Sequence, residues 1–71
     1  MELSNDLLKY TPRQIQVIQG MANGLRYKEI AASLGLSTRT VEDHVNAIMK
    51  KMRARTPGEI IAMGIRMGLI A

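Results

Sequence analysis

The chain contains no cysteine, no phenylalanine and no tryptophan, and its only histidine is His44. Without cysteine there is no disulfide framework and no thiolate metal site. A single histidine excludes a site built from several imidazoles, so neither a metal nor a cofactor is expected. Without Phe or Trp, the core has to be assembled from Ile, Leu, Val, Ala and six Met residues. No apolar run approaches the roughly 20 residues of a membrane span. The opening MELSNDLLKY lacks the basic-then-apolar order of a secretory leader. No nucleophile–base pair or phosphate loop stands out. Gly20, Gly24 and Gly35 are too scattered to cradle a phosphate. An enzyme is therefore not expected.

What is present is a chain of 71 residues, near the lower size limit for folding on its own core, so one domain is expected. Hydrophobic residues make up 46% of it, too many for a disordered tail. A core this small gains from a partner subunit. Ten Lys and Arg against six Asp and Glu give a net charge of +4. That balance favours a polyanionic partner, although where the charge sits matters more than its sum.

Residues 1–10 read as an N-terminal arm in which Leu3, Leu7 and Leu8 pack one turn against the body, and 11–71 as the domain. Thr11-Pro12-Arg13-Gln14 is a helix start, with a capping threonine, proline in the first turn and Gln14 to close a capping box. Ile15, Ile18 and Ala22 follow at helical spacing, with Val17 and Met21 beside them, until Gly24. A second helix is predicted over 27–34, with Ile30, Ala31 and Leu34 as its stripe and no capping residue at its start. After Gly35 and Leu36, Ser37 caps a third helix from Thr38 to about Met52, striped by Val41, Val45, Ile48 and Met52. Thr56-Pro57-Gly58-Glu59 repeats the start signal for a fourth, running to about Met67 with Gly68 as its stop. No segment alternates long enough to suggest a strand. The fold class is all-α, a four-helix (tetrahelical) helix-turn-helix domain.

The segment from Lys28 to Met52 carries the function. A short helix, a glycine-containing turn and a longer helix form a helix-turn-helix. Ala31 is small where the two helices approach, Leu36 can plug the angle between them, and Val41 faces inward. Thr38, Arg39, Glu42, Asp43, Asn46, Lys50 and Arg53 share one polar stripe, which runs into the basic KKMRAR of residues 50–55. Hydrogen-bonding groups beside dense positive charge suit a helix laid in the major groove of double-stranded DNA.

TPRQIQVI, then GLRYKEIAASLGLSTRTVEDHVNAIMKKM, then a capped last helix ending MGLI, resembles the LuxR/GerE/FixJ-type helix-turn-helix DNA-binding domain over roughly residues 10–70. The size looks most like the stand-alone GerE type. The resemblance implies a bacterial transcriptional regulator whose third helix reads the major groove and whose fourth pairs two subunits. By motif position it places Lys28 and Thr40 at phosphates, Glu42, Asp43 and Asn46 toward bases, and Lys50 and Lys51 near the DNA backbone. His44 matches a motif histidine that is packed rather than catalytic. Glu42 stands where many relatives carry Lys or Arg, Asp43 adds a second acid, and Gln14 replaces the commoner Glu.

The two acids leave two readings open. A carboxylate can accept from cytosine N4 while Asn46 bonds adenine. Alternatively, Glu42 and Asp43, three and four residues beyond Arg39, mainly orient it. The last helix is apolar almost all round, which points to a homodimer through Ile61, Gly64, Ile65, Met67 and Gly68. The alternative is that it covers a small core from several sides. The expected function is sequence-specific DNA binding in the cytoplasm, at the nucleoid, with no membrane partner. RNA polymerase or another regulator stands open as a further partner. An interaction module that sequesters a related regulator through the fourth helix is the competing function. A sigma-factor-like fragment would leave the apolar fourth helix unexplained.

Overall fold

The computed structural model describes residues 9–71, so Leu3, Leu7 and Leu8 of the expected arm lie outside the described residues. Among the described residues there are four helices and no strand: α1 (Pro12–Ala22), α2 (Tyr27–Leu34), α3 (Thr38–Met52) and α4 (Pro57–Arg66). The helix starts follow from their caps. Thr11 Oγ1 accepts from the Gln14 amide and Gln14 Oε1 accepts from the Thr11 amide, both at 3.1 Å, which completes the expected capping box. Ser37 Oγ accepts from the Thr40 amide at 3.0 Å, and Thr56 Oγ1 from the Glu59 amide at 3.2 Å.

Two caps differ from expectation. The Arg26 side chain has no acceptor to offer, but the Glu29 carboxylate reaches back to the Arg26 amide at 2.7 Å and supplies half a capping box to α2. At α4 the Glu59 carboxylate accepts from the Arg55 amide, one residue earlier than a regular box would place it.

Gly24 and Gly35 take the left-handed conformation expected of them, with φ of +84° and +70°. The next amides then close onto carbonyls five residues back, Leu25 to Gly20 at 3.1 Å and Leu36 to Ala31 at 2.8 Å. The same closure ends α3, from the Ala54 amide to the Met49 carbonyl at 3.0 Å, yet its left-handed position holds Arg53 at φ +60°. α4 stops at Arg66, one residue before the expected end.

The core is aliphatic, as the composition requires. Val17, Ile18, Val41, Ile48 and Ile60 are wholly buried, with Ile30 and Ala31 nearly so. Val41, Val45, Ile48 and Met52 form the inward stripe of α3, which packs on each of the other three helices. The inward face of α1 is Gln14, Val17, Ile18 and Met21, with Ile15 and Ala22 only half-buried. The apolar count had centred that face about one residue away, because the glutamine on it is polar. Tyr10, assigned from sequence to the arm, is buried in the core and belongs to the body.

Much of the apolar surface of α4 is used within the chain. Ile60 and Gly64 turn inward, and Leu69 and Ile70 close beneath them. Gly64, expected in a subunit contact, is buried within the chain. A Cβ at Gly64 would meet Ile18 Cγ2 at 3.1 Å and Ile70 at 3.5 Å, so this glycine lets α4 approach α1.

Gly20 sets a second close approach. A Cβ there would lie 2.9 Å from Ile30 Cγ1 and 3.2 Å from its Cδ1, and Ile30 is buried. Gly20→Ala gains up to about 1 kcal/mol in helix propensity but overpacks at a cost of about 1–3 kcal/mol. Thermal unfolding is expected to rank Gly20 above Ala and Ala above Val. Equal melting temperatures would show that the α1–α2 contact yields.

Candidate nucleic-acid interface

The helix that carries the polar stripe is held from behind. With Val41, Val45, Ile48 and Met52 fixed in the core, helical geometry turns the opposite face outward. Thr38, Arg39, Glu42, Asp43, Asn46, Lys50 and Arg53 are all exposed on α3 or at its end. The structure therefore brings these predicted residues together on one surface. Thr40 is half-buried beside it, its Oγ1 2.8 Å from Ser37 Oγ. Lys28 is exposed near the start of α2, on the helix that packs behind α3. His44 is half-buried on the flank of α3, and among the described residues no three His, Cys, Asp or Glu converge on a metal position.

Charge is laid unevenly along this face. Lys50 and Lys51 occupy the last turn of α3, where cations favour the helix dipole. The first turn holds no acid and carries Arg39 instead. A cation there works against the dipole by about 0.3–1 kcal/mol. The sequence accepts that cost at the one end of α3 where an exposed guanidinium heads the polar stripe. Arg39 Nε donates to Asp43 Oδ1 at 3.1 Å, and both side chains stay largely exposed, at 82% and 61%. Among the described residues Glu42 makes no such bond.

Lys51 does not join the stripe. Its ammonium donates to the Lys9 carbonyl and, at 3.2 Å, to Gln14 Oε1, and it lies 4.9 Å from the centre of the Tyr10 ring. A cation over a ring with two carbonyl-type acceptors is already satisfied. These contacts make a clamp from the end of α3 to the start of the domain, at a residue expected beside the DNA backbone. Sequence reasoning missed Tyr10 and Gln14 as its partners. The available signal was that a capping glutamine keeps a second lone pair for another donor.

Of the residues expected in a subunit contact, Ile65 is 53% exposed, Gly68 is exposed, and Ile61 and Met67 are half-buried. Without the inward Gly64, the apolar surface left on α4 is narrower than its sequence suggests. Among the described residues no helix is long and apolar enough to cross a membrane.

Comparison with known proteins agrees with this geometry. The family model described as bacterial regulatory proteins, luxR family, matches residues 9–63. The chain is similar to nodulation protein W of Bradyrhizobium diazoefficiens, 41% identical over 86% of this chain and 27% of that protein. It is also similar to the transcriptional regulatory protein YxjL of Bacillus subtilis, 38% identical over 86% of this chain and 28% of that protein. The transcriptional regulatory protein FixJ of Azorhizobium caulinodans is 35% identical over 96% of this chain and 32% of its own length. The chain thus spans about a third or less of the length of these relatives. No solved structure matches it.

Proposed function

Since this chain belongs to the luxR family of bacterial regulatory proteins, whose domain binds DNA in transcription regulation, we propose that α3 lies in the major groove and selects its site by sequence. The observation that carries this reading is the division of α3 into a stripe locked in the core and an exposed stripe running from Arg39 through Asn46 to Lys50 and Arg53. Arg39 and Asn46 face base edges. Arginine bonds guanine bidentately and asparagine adenine, each worth about 1–3 kcal/mol of discrimination. Thr38, Thr40, Lys50, Arg53 and, from α2, Lys28 face the sugar-phosphate rails. Lys51 is left out of this set because its ammonium already engages Gln14 and the Tyr10 ring.

Two copies act together through the exposed part of α4, with Ile65 at the centre and Ile61, Met67 and Gly68 around it. That arrangement sets two reading helices about one DNA turn, roughly 34 Å, apart on a two-fold site. The protein works at the nucleoid in the cytoplasm.

Retention of a random-sequence duplex on a gel tests the reading. The chain is expected to shift the duplex at about 50 mM salt and to release it along a straight log–log line as salt rises. No shift at that salt would favour an interaction module acting through α4 instead.

A further inference from the structure

Resting on the proposal that α3 reads bases, we infer that Asp43 is a positioning residue that aims Arg39 at a guanine, and that guanine is the base this helix selects most strongly in each half-site. The two acids of the helix behave differently. Glu42 stands three residues beyond Arg39 and makes no bond among the described residues, whereas Asp43, four residues beyond, accepts from Arg39 Nε at 3.1 Å. Of the two acids, Asp43 is therefore the one placed to orient the arginine.

The choice of nitrogen matters. A guanidinium donates through Nε and through its two terminal Nη groups. With Nε engaged by Asp43, the terminal edge remains, and among the described residues it makes no hydrogen bond. Two parallel N–H groups on that edge match the O6 and N7 acceptors of guanine in the major groove. Adenine offers a donor where guanine offers O6, so it repels one arm of the fork. Asp43 also offsets part of the arginine charge, which lessens the pull of the flexible side chain onto the nearest phosphate. The position agrees as well, because base-edge contacts in a helix-turn-helix come from the first turns of the reading helix, and Arg39 is the second residue of α3.

An exposed i,i+4 pair contributes little to stability, so this pair has to be tested through specificity. The experiment selects bound sequences from a random duplex pool with the wild-type chain and with Arg39→Ala, Asp43→Ala and Asp43→Asn. The wild type is expected to enrich a half-site with a guanine that Arg39→Ala abolishes, a drop in preference of about 10- to 100-fold at that position. Asp43→Ala frees one long side chain and is expected to lower the same preference about 3- to 10-fold, with other positions unchanged. Asp43→Asn keeps an acceptor for Nε and is expected to restore most of the preference. If charge removal alone mattered, Asn would act like Ala, and that result overturns the inference. So does a selected site whose guanine is indifferent to Asp43. In both cases the wild type still selects DNA, and the groove reading stands. If the wild type enriches no sequence at all, that reading fails first and this one with it.

Discussion

Ile48→Ala is expected to destabilise the domain by about 2–5 kcal/mol. A chain of this size has on the order of 4–11 kcal/mol to lose, so the substitution removes a large part of its margin. Ile48 is wholly buried on the inward stripe of α3, and the truncation leaves a void beneath the helix that carries the polar face. α3, like α1, touches all three other helices, so no part of the core is remote from the loss. Chemical denaturation followed by helical circular dichroism checks it. A midpoint equal to that of the wild type would mean that α3 is not anchored through this residue. Exposed Ala47, its neighbour in sequence, takes a larger polar residue such as Gln with little change, since it faces away from the core.

Removing the charges at the end of the stripe is expected to act on binding rather than folding. Each phosphate contact contributes about 0.9 to the slope of log affinity against log salt. Lys50→Ala with Arg53→Gly should therefore flatten that slope by about 1.8. The corresponding loss of affinity is about 200-fold at 0.05 M salt and about 20-fold at 0.2 M. The loss falls on all sequences alike, because phosphates carry no sequence information.

Arg53 adds a distinctive signature. It holds a left-handed backbone, φ +60°, that favours glycine. Arg53→Gly alone is thus expected to raise stability by roughly 1 kcal/mol while weakening DNA binding. Lys51→Met supplies the contrast. It loosens the clamp to Lys9, Gln14 and Tyr10 and lowers the melting temperature, but leaves the salt slope as it was. A slope reduced by Lys51→Met as much as by Lys50→Ala would return Lys51 to the phosphate set.

These differences mark what was legible in the sequence. The helices were legible because their ends are written in local chemistry. Thr11, Ser37 and Thr56 cap, Pro12 and Pro57 open, and Gly24 and Gly35 close. The outward face of α3 was legible because the spacing of Val41, Val45, Ile48 and Met52 fixes the opposite side. Features that depend on distant residues were not. Lys51 reads as one more base in KKMRAR until Gln14, 37 residues away, is brought beside it. Gly64 looks like a small residue on an apolar helix surface until Ile18 of α1 is placed 3.1 Å from where its Cβ would be. Arg53 carries no sequence mark of a left-handed cap, since arginine is not a residue that conformation favours. The pairing of Arg39 with Asp43 rather than with Glu42 depends on rotamers, which spacing alone leaves undecided.

The central claim is that the exposed side of α3 meets the groove. Chemical-shift mapping on the labelled chain, titrated with a short duplex at low salt, addresses it most directly. The largest changes are expected at Arg39, Asn46, Lys50 and Arg53, smaller ones at Lys28, and none at the buried Ile60 of α4. Changes confined to α1 or α4, with the outer stripe of α3 silent, would contradict it.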